Sequence, residues 1–133
     1  PVIKLFLIVG WCQSKKKVIM FNTLNISDFF LCFPDIGLKK AQISDLIGGD
    51  SAENSRIAKE LFRGNLGEKH PIFQIVALNA AVAMAAFQLA EANSIQNFDF
   101  GTSISNSYKA AANSLSSGAA NDLVERWVEE SNR

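Results

Sequence analysis

The chain has 133 residues, a length typical of one domain, and 48% of them are hydrophobic, which is enough to form a packed core. Its 13 Lys and Arg residues balance its 13 Asp and Glu residues, and this lack of positive excess argues against nucleic acid as a partner. Cys12 and Cys32 have no Cys or His at metal-ligand spacing, so we expect reduced thiols in a cytosolic protein.

The first third of the chain is rich in β-branched and aromatic residues, and two stretches, 2–9 and 17–24, have the composition of strands. The first stretch lacks the preceding basic residues of a signal peptide and is too short to span a bilayer, so we interpret it as a buried strand. A third apolar stretch, 26–33, contains a run of residues without alternation and is ended by Pro34.

Helical patterns dominate after Pro34. The Gly48-Gly49 pair breaks the chain, Asp50 is placed to cap a helix, and Glu53 stands at capping-box spacing from it. The helix is expected over residues 51–63 and is ended by Gly64, a favoured residue at helix C-termini. Its apolar residues, expected to point inward, are Ile57, Leu61 and Phe62.

A second helix is expected over residues 72–90, with Pro71 in its first turn. It is apolar on nearly every side, and two interpretations follow from that. The first is a membrane-spanning helix, for which the stretch is long enough. The second is the buried central helix of a domain, which is favoured by the three amides, the alanine-rich composition and the lack of flanking aromatic residues. We therefore expect no membrane association, and we expect hydrogen-bond partners for the amide Asn79 inside this helix.

Two further helices follow a turn expected at residues 93–101. One is indicated by apolar residues at helical spacing, namely Ile104, Tyr108, Ala111, Ala112 and Leu115. The last is amphipathic, with an expected inward face of Leu123, Val124, Trp127 and Val128. The predicted fold class is thus mainly α with one or two N-terminal strands. Because a strand pair alone is marginally stable, this imbalance indicates a piece of a larger fold.

Several short motifs follow one another along the chain: Gly37-Leu38, Asp45-Leu46-Ile47-Gly48-Gly49-Asp50, Glu53-Asn54, Leu78-Asn79-Ala80-Ala81, and Ala110 through Ser117-Gly118-Ala119. In this order and spacing, residues 37–130 resemble the C-terminal part of anthranilate phosphoribosyltransferases. The resemblance divides the chain into a poorly matched strand-forming segment, 1–36, and a helical part, 37–133. It implies a fragment of the α/β domain of a nucleoside-phosphorylase-type phosphoribosyltransferase.

The resemblance also implies an activity. Such enzymes transfer a phosphoribosyl group from phosphoribosyl pyrophosphate to anthranilate in tryptophan biosynthesis, with Mg²⁺ as cofactor. The implied partner is the remainder of the transferase chain, with a homodimer as a further option for the complete enzyme, and the implied location is the cytoplasm. A nucleoside phosphorylase, which shares the overall fold, is a weaker alternative.

The family's chemical motifs do not occur in this sequence. A Gly-Thr-Gly-Gly-Asp loop, an Asp-Glu pair and a Lys-His-Gly-Asn segment are missing from it. The lone histidine, His70, stands beside a helix start and is expected to be exposed rather than catalytic. We therefore predict no catalytic, substrate-binding or metal-binding residue and no bound Mg²⁺ in this chain, which is expected to be inactive alone. A frameshift, truncation or wrongly joined gene would produce such a sequence.

Two hypotheses remain open at this point. In the first, the chain is a fragment of the transferase. In the second, it is a non-catalytic helical module derived from that fold, which binds another protein through apolar surface such as residues 29–33. Large exposed apolar patches are usually interfaces or aggregation liabilities, so the second hypothesis predicts bare apolar surface on the folded chain.

Overall fold

A computed structural model describes residues 6–11, 16–21, 26–31, 38, 41–92 and 98–133. The N-terminal part forms three strands, β1 (Phe6–Trp11), β2 (Lys16–Phe21) and β3 (Ile26–Leu31). They pair antiparallel in the order β1-β2-β3. The sequence predicts one or two strands. The third was not predicted because stretch 26–33 lacks the alternation of apolar and polar residues. Strands pair through backbone N–H and C=O groups, which do not depend on that alternation.

The rest of the described chain is helical. A short 3₁₀ turn is followed by four α-helices, which confirms the mainly helical prediction. Their bounds are Ile43–Leu46 for the turn, Ser51–Phe62 for α1, Pro71–Glu91 for α2, Phe100–Ser116 for α3 and Ala119–Ser131 for α4.

Helix α3 begins at Phe100, so its first two residues overlap the end of the turn expected at 93–101. Asp99 is its N-cap, and the carboxylate accepts hydrogen bonds from the Thr102 hydroxyl at 2.7 Å and the Thr102 backbone N–H at 3.1 Å. These bonds, the hydroxyl one first, lower the pKa of Asp99. The Asp-x-x-Thr spacing is the sequence signal that we overlooked. Residues 93–97 of the expected turn lie outside the described residues.

The core is built on α2, which packs mainly against α3. One buried cluster joins the C-terminal half of α2 to α3 and to an upstream residue; its members are Leu38, Leu78, Ala81, Val82, Ala85, Leu89 and Ile104. A second cluster joins the N-terminal half of α2 to α3 and the end of α1 through Leu61, Phe73, Ala77, Ala111 and Leu115. Tyr108 packs against both clusters. We call the α2 residues of these clusters the packed face of α2.

The opposite side of α2 is not covered by the rest of the described chain, so the expectation of a helix buried all round is wrong. The exposed apolar residues on this side, which we call the open face of α2, are Ala80, Ala83, Met84, Phe87 and Ala90. Phe87 is 65% exposed. By length and composition alone α2 could cross a membrane, a test that the core helix of a soluble protein passes equally well.

Helix α4 also departs from expectation. Of its four residues expected to face inward, Val124 is half-buried, but Leu123, Trp127 and Val128 are exposed. We call these three residues the α4 patch. Periodicity correctly grouped them on one side of a helix, but it cannot tell whether the same chain supplies a surface to cover that side.

Candidate functional site at the glycine turn before α1

The glycine turn carries the most specific part of the family resemblance, and its side chains are used to start α1. The Asp50 carboxylate accepts a hydrogen bond from the Glu53 backbone N–H at 2.9 Å, so Asp50 is the predicted N-cap. The Asn54 side chain makes two bonds to Gly49. Its Oδ1 accepts from the Gly49 N–H at 3.0 Å, and its Nδ2 donates to the Gly49 carbonyl at 2.9 Å. The turn is thereby tied back onto the helix that it precedes.

This close approach leaves no room for a side chain at either glycine unless the neighbouring side chains shift. A Cβ at Gly48 would collide with the Asn54 amide, and a Cβ at Gly49 would lie 2.8 Å from the Glu53 Cγ. The Gly49 contact falls below the separations that real Cβ atoms show. The expectation that the double glycine permits a tight entry into the helix is confirmed.

The Glu53 side chain does not complete a capping box, which corrects the sequence-based expectation. It forms a bidentate ion pair with Arg56 instead, with Nη2–Oε1 and Nε–Oε2 distances of 2.7 and 2.9 Å. This bond lowers the pKa of Glu53 and raises the pKa of Arg56. Two charge-assisted bonds to a guanidinium replace the single bond to the Asp50 N–H that a capping box would provide. Both groups are exposed, so the pair contributes little stability.

The carboxylates near this turn are already engaged. Asp45 accepts from the Gln42 N–H at 2.8 Å, while Asp50 caps α1 and Glu53 holds Arg56. Over the described parts of the chain, no group of three His, Cys, Asp or Glu residues is arranged to hold a metal ion. Mg²⁺ prefers several carboxylate and water oxygens in octahedral geometry. The residues of the glycine turn therefore do not fit a magnesium site, and their geometry serves to start a helix.

His70 is exposed and has a structural contact. Its Nδ1 accepts a hydrogen bond from the Ile72 N–H at 3.2 Å, which makes it the N-cap of α2 beside Pro71 in the first turn. Its exposure was predicted from the sequence, but its capping role was not, because His is uncommon among N-cap residues. Pro71 was the available signal, since proline marks the first helical turn.

The amides of α2 differ from one another in their surroundings. Asn79 was expected to be buried and hydrogen-bonded, but it is exposed, so solvent can satisfy it. Gln88 accepts a 2.6 Å hydrogen bond from the Ser103 hydroxyl and links α2 to α3. The error over Asn79 has the same origin as the error over the open face of α2, since both assumed a helix covered on all sides.

The geometry of the glycine turn does not identify a protein family, but comparison with known proteins does. No family model matches the chain. Curated relatives do match it, with 37% identity over 95 residues to an enzyme of Rhodococcus jostii and 35% over 94 residues to one of Leifsonia xyli. These alignments cover 71% of this chain, but 24% and 26% of the respective relatives. A relative from Dictyoglomus turgidum is 39% identical over 72 residues, or 53% of this chain.

These relatives first define a class, because all three are phosphoribosyltransferases by name. More narrowly, each is named an anthranilate phosphoribosyltransferase. This chain is therefore homologous to that family, over about 71% of its length in the first two alignments. The resemblance found in the motifs is thereby confirmed. The chain spans about a quarter of the length of the curated relatives it matches.

Proposed function

We propose that residues 37–130 are the C-terminal segment of an anthranilate phosphoribosyltransferase and that the segment works only as part of the complete enzyme. The reaction would be transfer of phosphoribosyl from phosphoribosyl pyrophosphate to anthranilate, a step of tryptophan biosynthesis in the cytoplasm. The observation that carries the proposal is the 37% identity to the Rhodococcus jostii enzyme over 95 residues.

In this proposal the division of work within the enzyme is unequal. The remainder of the transferase chain would bind the substrates and hold Mg²⁺, and a homodimer is an option for the whole. Residues 37–133 would supply helical scaffold to the α/β domain, with no catalytic, substrate-binding or metal-binding residue of their own. The glycine turn supports this role, because the Asp50 carboxylate and the Asn54 amide are engaged in starting α1. Residues 1–36, which the sequence predicts to be a strand-forming segment, have no role in the proposal.

A chimera tests the proposal. In the Rhodococcus jostii enzyme, the segment that aligns with this chain is replaced by residues 37–130, and transfer to anthranilate is measured with Mg²⁺ and after its removal by a chelator. We expect Mg²⁺-dependent turnover by the chimera. The control is the same enzyme with its segment deleted, which should be inactive. A chimera that folds to the size and helical content of the parent but does not turn over anthranilate would contradict the proposal.

The inactivity of the isolated chain is tested separately. The 133-residue protein is incubated with anthranilate, phosphoribosyl pyrophosphate and Mg²⁺, and we expect no product above the background without protein. Clear turnover would show that the chain contains a complete site, and it would contradict the assignment of a purely structural role to these residues.

A second candidate function is a non-catalytic helical module that binds another protein. The exposed Phe87 and Trp127 favour it, because bare aromatic side chains are enriched at protein interfaces. This function predicts binding of a hydrophobic dye by the purified chain. A folded monomer that binds no such dye would remove the basis for this function.

A further inference from the structure

Exposed surface on the described helices is of two kinds. On α1 the exposed side contains charged residues, including Arg56 and Lys59. On α2 the exposed side carries no charged residue between positions 79 and 90, and its apolar members form the open face. A helix rises 1.5 Å per residue, so the open face, from Ala80 to Ala90, extends over about 15 Å. Charged residues are mostly exposed in folded proteins and are almost never buried unless paired, so a surface without charges over this distance can be buried without desolvating a charge.

The composition of the open face suits close packing. Three of its five residues are alanines, which let another backbone layer approach the helix closely, and Met84 and Phe87 provide bulk. Met84 is 39% exposed and Phe87 is 65% exposed, so both have side-chain surface available for contact. The same helix already contributes its packed face to both buried clusters. The open face therefore has the character of a core surface from which one layer has been removed.

The length of the relatives indicates what that layer is. The aligned part of this chain accounts for 24% of the Rhodococcus jostii enzyme, so about three-quarters of such a chain lies outside it. We propose that the open face of α2 is the surface on which this segment joins the remainder of an anthranilate phosphoribosyltransferase chain, through an uncharged apolar layer of that remainder. This inference rests on the proposed function and assigns to it a specific interface.

The α4 patch is a weaker candidate for this role. Leu123, Trp127 and Val128 are exposed, but charged residues of the same helix, such as Glu125 and Glu129, stand between and beside them. An apolar patch with charges so close resembles the rim of an interface rather than its core. The open face of α2 is thus the surface that we assign.

Cysteine labelling tests the assignment. Ala83→Cys is introduced into the full 133-residue chain, with Cys12→Ser and Cys32→Ser to remove its own thiols, and into the chimera described above. Both proteins are treated with N-ethylmaleimide, and the labelled peptide is followed by mass spectrometry. Lys59→Cys, on the charged side of α1, is the control in both proteins. Ala83 and Lys59 are exposed, so neither change removes a buried contact.

We expect both cysteines to react readily in the isolated chain. In the chimera, the cysteine at position 83 should react at least about tenfold more slowly, because it reacts only when the interface opens locally. The cysteine at position 59 should keep its rate. Equal rates at position 83 in the chimera and the isolated chain would overturn the assignment, whether or not the chimera is active. Loss of activity with protection at position 83 would instead contradict the proposed function and leave the interface standing.

Two other occupants of the open face have distinct outcomes in the same experiment. Slow labelling at position 83 in the isolated chain, together with a dimer in size-exclusion chromatography, would show that a second copy covers the face and would overturn the assignment. Protection of the isolated chain by phosphatidylcholine vesicles, with no protection in the chimera, would show a membrane surface instead and would overturn it equally.

Discussion

The two faces of α2 differ although their sequences are alike. Phe73 and Phe87 lie on the same helix, yet Phe73 is fully buried and Phe87 is 65% exposed. The packed face meets α3 and the end of α1, while the open face meets nothing from the described chain. The difference shows that apolar side chains identify a helix face that can be buried. They do not show whether that face is buried, because burial also requires a second surface that packs against it.

The largest expected effect comes from truncating an aromatic ring on each face. Phe73→Ala should lower the free energy of unfolding by about 3–5 kcal/mol, because it leaves a cavity in the second cluster. Phe87→Ala should change it by less than about 0.5 kcal/mol in the isolated chain, because the side chain is mostly in solvent. Urea unfolding followed by helical circular dichroism measures both. Equal effects at the two positions would show that the two faces do not differ in packing.

The two glycines with positive φ allow a similar comparison between a crowded and an open backbone position. Gly64 has φ of 76°, and a Cβ there would lie 2.8 Å from the Ser116 carbonyl oxygen. Gly118 has φ of 79°, but a Cβ there would meet nothing within 4 Å. Gly64→Ala should therefore cost at least about 2 kcal/mol, and Gly118→Ala only about 1 kcal/mol, the expense of the left-handed conformation itself. Thermal unfolding of the two variants checks the order, and a larger loss at Gly118 would contradict it.

A pair of serines on α3 tests the packing against α2 more finely. Ser107 is buried, and its hydroxyl has no hydrogen-bond partner within the part of the chain that the structure describes. Ser107→Ala should stabilise the fold by about 1 kcal/mol, since an unsatisfied buried hydroxyl is removed. Ser103→Ala removes the bond to Gln88 and should cost about 0.5–1.5 kcal/mol. Opposite signs in urea unfolding are the expected result, and destabilisation by both variants would count against it.

The smallest effect is a pH dependence in the packed region. Partial burial, with the negative charge of Glu68 in second place, raises the pKa of Tyr108 above its ordinary value of 10.0. The folded state therefore holds the phenolic proton more tightly than the unfolded state. The resulting stability is present below pH 10 and is lost as the pH rises through the folded pKa. Thermal unfolding should show a steeper alkaline loss for the original chain than for Tyr108→Phe. Identical profiles would contradict the shift.

The existence of the four helices could be predicted from sequence, because their ends are marked by local chemistry. Asp50 and Pro71 mark two starts, and Gly64 and Gly118 mark two breaks. The start of α3 differs from the prediction, because Asp99 caps a helix inside the stretch for which the sequence predicts a turn. Which apolar faces are covered could not be predicted, because a helix that is apolar on every side has no period to reveal its direction.

At the candidate site, too, some features could be predicted from neighbouring residues and others could not. The glycine turn and the Asp50 cap followed from short-range sterics and hydrogen bonding, and both are confirmed. The Glu53–Arg56 pair was not foreseen, because a capping box and an ion pair at i,i+3 compete for the same carboxylate. Sequence spacing alone does not decide between them. The family resemblance came from the order of several weak motifs and not from a reactive group.

The most direct test of the central claim is the effect of Phe87→Ala in two contexts. In the isolated chain the melting temperature should hardly change. In the chimera with the Rhodococcus jostii enzyme it should fall by several degrees, since the ring is expected to be buried there and each kcal/mol shifts Tm by about 2–4 °C in a domain of 150–250 residues. Phe73→Ala should lower Tm in both contexts. A chimera whose melting temperature is unaffected by Phe87→Ala would show that the open face stays bare in the complete enzyme, and it would contradict the account.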